Sequence, residues 1–355
     1  MTTLQLVLLN QLPPLKQDIL YILCELKQHV VMMVPLPPWY NDKNLLLLPI
    51  THLINCMLST GIFPELLKIT KAVPVHKKSD RLCVNNYGPM ALLSVFSKMF
   101  QKAILSRLEN FFSKCNLSTE SRSGYRRGKS CMQALVYISD YVRQNIESRK
   151  LTLGLFVDLS KAFDLINHKI LYRKLERCGV RGLPLRLLQS FLCDRNQFVA
   201  LDKSKSSMQL VTLGVPQGSI LGPFLFVAYI NDLPDFLQQK TVVYADDTNI
   251  FVDAPPHREI MEKASLVTGL LSRWTSANKF TPNYSKTCYI IFSSRQRPVF
   301  DANLQLEFAD NTIARAQSMK FLGVYIHKQF DWTIHINHVR SQMARGIFLL
   351  HRLRR

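Results

Sequence analysis

The sequence is short of acidic residues. Its 355 positions hold 25 Asp and Glu against 45 Lys and Arg, so 45 − 25 gives a formal net charge of +20. A surplus of this size implies a polyanionic partner, either nucleic acid or an anionic membrane surface, and says nothing about the fold. Closely spaced cysteines are also missing. The eight stand at 24, 56, 83, 115, 131, 178, 193 and 288, with no CxxC pair, which argues against a zinc ribbon and a disulfide scaffold and for reduced, buried thiols. Long apolar runs are absent: Leu45–Ile50 is interrupted by Pro49 and falls far short of the ~18 residues of a membrane span. Met1–Asn10 lacks the basic start and small-residue cleavage site of a secretory signal, so the sequons at Asn116 and Asn283 read as chance. The expectation is a soluble protein of the nucleus or cytoplasm, not secreted and without a membrane partner. No repeat or low-complexity tract interrupts the chain.

What is present is ample material for a core. Hydrophobic residues make up 47% of the chain, which excludes wholesale disorder, and the length suits about two domains of roughly 150 residues. Residues 1–45, punctuated by Pro13-Pro14 and the Pro35–Trp39 stretch, read as an irregular lead-in. Apolar residues at helical spacing predict helices over Leu46–Leu58, Leu92–Phe112, Ser130–Ile146, Ile170–Leu175, Ser219–Ile230 and Leu266–Asn278. Short apolar runs predict strands at Leu151–Val157, Thr287–Ser293 and Lys320–Ile326, and a hairpin over Thr241–Val252 with a charged tip at Ala245-Asp246-Asp247. This mixture predicts an α+β fold, its sheet covered by helices on one face.

Three carboxylates stand at the ends of apolar strands, where an unpaired charge is costly. Asp158 follows Leu155-Phe156-Val157, and Asp246 and Asp247 follow Val242-Val243-Tyr244. If the two strands are neighbours, Asp158 comes beside the pair and completes a set of oxygen donors suited to a hard divalent ion such as Mg²⁺. Two such ions would clamp the attacking and leaving oxygens of a phosphoryl transfer. Spacing alone leaves two plainer readings open: a helix cap at Asp158, and a solvated turn at Asp246-Asp247.

The neighbouring residues add a resemblance. In chain order they are Gly61-Ile62-Phe63-Pro64, Val73-Pro74-Val75-His76-Lys77-Lys78-Ser79-Asp80, Asn86-Tyr87-Gly88-Pro89 and Ser123-Gly124-Tyr125-Arg126-Arg127-Gly128-Lys129-Ser130. They continue in Val157-Asp158-Leu159-Ser160-Lys161-Ala162-Phe163-Asp164, Gly214-Val215-Pro216-Gln217-Gly218-Ser219, Tyr244-Ala245-Asp246-Asp247, Asn283 with Lys286-Thr287, and Phe321-Leu322-Gly323. From about Leu46 to His338 the chain resembles the reverse transcriptase family, most closely the polymerases of non-LTR, LINE-like and jockey-type retrotransposons.

That resemblance implies an RNA-directed DNA polymerase domain with fingers and palm over residues 46–330, helical fingers, an antiparallel palm sheet backed by helices, and the start of a thumb or connecting helix at 331–355. It implies Asp158, Asp246 and Asp247 as ligands of two Mg²⁺ ions, with Mn²⁺ as a substitute. It implies Phe163 as the aromatic gate against a 2′-hydroxyl, Gln217 beside the incoming nucleotide, and Lys77, Lys78 and Arg126 facing triphosphate or template phosphates. Lys286 would help protonate the leaving pyrophosphate, and Phe321, Leu322 and Gly323 would grip the primer end. The implied partners are an RNA template, a DNA primer and deoxynucleoside triphosphates.

The sequence also departs from the family pattern. Gly88 stands where the family usually has an Arg directed at the triphosphate, Ser123 replaces an aromatic residue and Arg122 a Gln. The expectation is a fingers-and-palm fragment, with one basic helix that would begin a thumb and without the upstream endonuclease that such elements carry. Gly88 and the missing thumb favour an alternative reading, a decayed element copy that binds nucleic acid without synthesis, whereas intact Asp158, Asp246, Asp247 and Gln217 oppose it. A pure RNA-binding module would explain the charge but give the acidic cluster no use.

Overall fold

The computed structural model describes residues 43–76, 80–115, 131–201, 204–244, 247–255, 257–294 and 305–353. Four of the anticipated site residues, Lys77, Lys78, Arg126 and Asp246, lie outside them, as does the lead-in up to residue 42. The described chain gathers into two compact units, one from residues 43–115 with 161–231, the other from 131–160 with 232–353.

The first unit opens with helix α1 (Lys43–Thr60), followed by β1 (Ile69–His76), β2 (Tyr87–Leu92) and α2 (Val95–Lys114). After the excursion into the other unit come α4 (His168–Arg177), α5 (Leu183–Leu192), β4 (Arg195–Leu201), β5 (Ser204–Lys205), β6 (Gln209–Val211) and α6 (Gly222–Tyr229). The strands form one sheet in the order β2-β1-β4-β5, with β6 also paired to β4. β1 runs antiparallel to β2 and parallel to β4. The sequence reading missed this sheet and expected helical fingers; Val73–His76 and Gly88 instead lie on the β1–β2 ladder. The reason is that these strands carry prolines at 74 and 89 and few long apolar runs, so period-two patterning is weak. Apolar helix faces fill the core: Phe63 lies edge-on to Phe100 of α2 and Phe191 of α5 at 6.3 and 5.1 Å between ring centres.

The second unit contains α3 (Cys131–Glu147), β3 (Leu151–Asp158), α7 (Leu233–Leu237), β7 (Lys240–Tyr244), β8 (Asp247–Ala254), α8 (His257–Ala277), β9 (Cys288–Phe292), β10 (Leu306–Phe308), β11 (Asn311–Arg315), β12 (Ser318–Phe321), β13 (Val324–His327) and α9 (Thr333–Leu353). Six strands form a sheet in the order β10-β11-β9-β3-β8-β7. All pairs are antiparallel except β11 with β9.

β3 is the central strand of this sheet, and both of its faces are covered. Phe156 joins Ala134, Leu135, Ile138 and Val142 of α3 in one buried cluster with Phe251, Ile290 and Phe292. Leu153, Leu155 and Val157, which alternate to the other side, are equally buried, and α8 packs on β3 and β8. The expectation of helices on a single face is therefore corrected. A nearly continuous apolar run such as Leu151–Val157 is the pattern of a strand buried on both sides.

Residues 320–326 do not form one strand. They form a tight hairpin in which Phe321 pairs with Val324 across Leu322 and Gly323, both at positive φ, 47° and 88°. Two consecutive left-handed residues match the right-handed twist of the flanking strands, and Gly323 supplies the second at no steric cost. The Leu266–Asn278 helix begins earlier, at His257, while the Ser219–Ile230 helix is trimmed to Gly222–Tyr229. Pro223 suits the first turn of the helix, and the Gly222 N–H donates to the Ser219 hydroxyl at 2.7 Å.

Candidate active site

The acidic site is built in the second unit. β3 and β8 pair so that Asp158 lies directly opposite Asp247, and β7 pairs with β8 so that Tyr244 is also level with Asp247. The two carboxylates thus share one face at the ends of neighbouring strands, as the sequence reading required. Like charges directly opposed on a sheet repel each other, so the pair needs a cation or donors beside it. Lys286 supplies one. Its ammonium stands 3.5 Å from Asp158 Oδ2, with 64% of the lysine side chain and 34% of the aspartate side chain exposed.

The turn between α8 and β9 holds the end of β3 in place. The Asn283 N–H donates to the Asp158 carbonyl at 2.8 Å, and the Ser160 N–H to that of Thr281 at 3.0 Å. The Thr287 hydroxyl accepts the Asp158 N–H at 3.3 Å while donating to the Asn283 carbonyl at 2.9 Å. Asn283, Lys286 and Thr287 therefore act on Asp158 itself, its backbone through Asn283 and Thr287 and its charge through Lys286. The donor set is oxygen only, and an ammonium already occupies cation distance, which fits a hard divalent ion such as Mg²⁺. Among the described residues no three His, Cys, Asp or Glu side chains come together; the third anticipated ligand, Asp246, lies outside them.

Phe163 and Gln217 belong to the first unit. The Phe163 ring stacks on Phe226 of α6, 4.6 Å between centres and 23° from parallel. The Gln217 amide donates to Asp164 Oδ1 at 2.7 Å. The segments carrying them are zipped together, since the Val215 N–H donates to the Phe163 carbonyl at 2.9 Å and the Gly214 N–H to that of Ile166 at 2.8 Å. His168 Nε2 donates to the Gly214 carbonyl at 2.7 Å, and its burial there pulls its pKa below the usual 6.5. Behind this clasp lies a cavity of about 300 Å³, lined by Asp164 and Gln217 together with Thr70, Ala72, Pro89 and Arg195 among others.

Sequence reasoning gave no role to Asp164, His168 or Arg195. Asp164 follows Phe163 in the motif that begins at Val157, and nothing in its spacing marks it apart from the other acidic residues. Arg195 carried no signal, since nothing marks one basic residue among 45 as buried. It is only 2% exposed, donating to the Phe191 carbonyl at 3.1 Å and Thr70 Oγ1 at 3.3 Å, and desolvation brings its pKa down to about 10.

The remaining predicted residues divide. Phe321 is 2% exposed, its ring 6.0 Å from Phe156 and 6.4 Å from Phe251, so it anchors the β12–β13 hairpin while Leu322 and Gly323 form the tip. Gly88 is buried on β2, level with Val75 of β1. Strand alternation turns it away from the cavity that Pro89 and Ala91 line.

An α+β fold whose central strand ends in an acidic pair is the architecture of a polymerase palm, and the solved structures agree. A telomerase from Candida albicans in complex with a fragment of telomeric RNA superposes with a TM-score of 0.52 at 13% identity, over 79% of this chain and 48% of that one. Apo telomerase from Candida tropicalis, truncated from its C-terminal domain, gives 0.51 at 11%, over 76% and 55%. The sequence model of the reverse transcriptase (RNA-dependent DNA polymerase) family matches residues 75–326, and the chain belongs to that family. A curated relative, the RNA-directed DNA polymerase from mobile element jockey of Drosophila melanogaster, is 25% identical over 329 residues, 87% of this chain and 35% of that protein. The chain spans about a third of the length of the curated relatives it matches.

Proposed function

We propose that this chain carries the RNA-directed DNA polymerase activity of a non-LTR retrotransposable element, extending a DNA primer on an RNA template with deoxynucleoside triphosphates in the nucleus or cytoplasm. The observation that carries the proposal is the register of β3 on β8, which sets Asp158 opposite Asp247 at the strand ends with Lys286 at ion-pair distance. In the reaction the primer 3′-oxygen bonds to the α-phosphorus, the bond to pyrophosphate breaks, and the hydroxyl proton leaves to solvent. Asp158 and Asp247, with Asp246, would hold Mg²⁺, which supplies charge stabilisation for the attacking and leaving oxygens when bound. Lys286 is mostly exposed and tied by one long ion pair of the kind worth about 0–1 kcal/mol, so its ammonium is free to turn toward the departing pyrophosphate and protonate it. The stacked Phe163 ring is a fixed wall suited to excluding a 2′-hydroxyl.

Asp158→Asn removes one negative charge with little change in shape. Primer extension on homopolymer RNA with Mg²⁺ should fall at least about a hundredfold while hybrid affinity stays within about twofold. An Asp158→Asn variant extending at the wild-type rate would refute the assignment. Gly88 favours a second reading, a decayed copy that only binds nucleic acid; wild-type protein that binds hybrid tightly yet never extends it would support that reading instead.

A further inference from the structure

We infer that Asp164 is a positioning residue that commits the Gln217 amide to one orientation toward the incoming nucleotide, an inference that rests on the polymerase reading above. A glutamine amide has two chemically opposite ends of nearly equal shape, and turning it over exchanges an acceptor for a donor pair. An ionised carboxylate only accepts, so the 2.7 Å contact to Asp164 Oδ1 obliges Gln217 to present its NH₂ to Asp164. The amide oxygen is then the end left for a ligand. Among the described residues this is the only side-chain hydrogen bond of either residue, so among them Asp164 sets the choice.

Two further features make the choice matter. Gln217 borders the 300 Å³ cavity, so without a tether its amide has room to rotate away from the site. Asp164 is itself held firmly, because its neighbour Phe163 accepts from Val215, its own N–H donates to the Lys161 carbonyl at 2.9 Å, and its backbone is pressed against Gly214. A template-directed enzyme must accept four bases, so a protein acceptor fixed in one place is matched to a donor that every nucleotide shares. The sugar hydroxyl is that donor. Asp164 thereby links the residue that stacks on Phe226 to the residue that meets the substrate, without touching substrate itself.

The test is deoxynucleotide binding to the full chain on an RNA template whose DNA primer ends in a 3′-deoxy residue, with Mg²⁺ present, so that affinity is read without chemistry. Asp164→Ala should weaken deoxynucleotide binding by at least about tenfold, Gln217→Ala by as much or more, and the double variant by no more than Gln217→Ala alone. Asp164→Asn preserves shape and fold but can face either end of the amide, so its loss should be intermediate. With an extendable primer, KM should rise in the Asp164 variants while kcat stays within about twofold. Unchanged affinity in both Asp164 variants overturns the inference, and so does a full additional loss when Asp164→Ala is placed on Gln217→Ala, which would mark Asp164 as packing only. In either case a wild type that binds and extends leaves the polymerase reading standing. A wild type that binds no deoxynucleotide and extends no primer overturns both.

Discussion

Gly214 sits at φ +80°, and a Cβ built there would fall 2.7 Å from the carbonyl oxygen of Asp164. No other residue type fits this position, where a backbone turned left-handed meets another backbone at contact distance. The clasp between the Phe163 and Gln217 segments depends on that bare α-carbon. Gly88 is a different case, because its φ is not positive and its strand pairing with Val75 is regular, so a side chain is conformationally allowed. Gly88→Arg should emerge beside Val75 and Met90, on the sheet face opposite the cavity. If loss of a guanidinium is what limits this chain, the variant should tighten deoxynucleotide binding by the equivalent of about 1.5–3 kcal/mol, read as a lower KM in primer extension. Unchanged KM and rate would show that Gly88 is not a lesion.

At the level of elements, one ion-paired carboxylate ties three segments of the second unit. Tyr141 of α3 donates to Asp253 Oδ1 at 2.7 Å, Lys150 before β3 reaches Oδ2 at 3.1 Å, and Lys263 of α8 donates to the Asp253 carbonyl at 2.9 Å. Burial alone would raise the Asp253 pKa, but the hydrogen bonds from Tyr141 and Lys150 and the charges of Lys150 and Lys263 hold it below 3.8. A carboxylate with a depressed folded pKa stabilises the fold above its unfolded pKa of about 3.9 and loses that contribution as pH falls through the folded value. Asp253→Asn should therefore cost about 1–2 kcal/mol in urea unfolding at pH 7 and less at a pH below the folded pKa of Asp253. An equal cost at both pH values would contradict the account. The elements of this unit were largely legible in the sequence, because β3, β7, β8 and β9 are apolar runs with sharp ends and α3 carries Ala134, Leu135, Ile138 and Val142 on one face. The approach of Asp158 to the acidic pair was legible only on the condition that the two strands are neighbours, which the β3–β8 pairing meets. What patterning could not give was the sheet of the first unit, whose strands interleave Pro74, Pro89, Gln197 and Gln209 with apolar residues, nor the hydrogen bond from Gln217 to Asp164, which joins positions 53 apart.

For the whole molecule, charge sets the salt dependence of the nucleic-acid binding proposed above. With +20 net charge, affinity for an RNA/DNA hybrid should fall steeply with salt, by about 10³-fold or more between about 50 and 200 mM if six to ten phosphates are neutralised. A filter-binding series flat over that range would refute the electrostatic account. No described helix is long and apolar enough to cross a membrane. The central position of β3 has a consequence in time. Its two neighbours, β8 and β9, begin at residues 247 and 288, whereas β3 ends at 158. During synthesis the strand must wait for 247 − 158 = 89 residues before its first partner starts to appear, roughly 5–20 s at about 5–20 residues per second. Throughout that interval an apolar ribbon ending in Asp158 has both edges unsatisfied, and it is the stretch a ribosome-associated chaperone would have to shield.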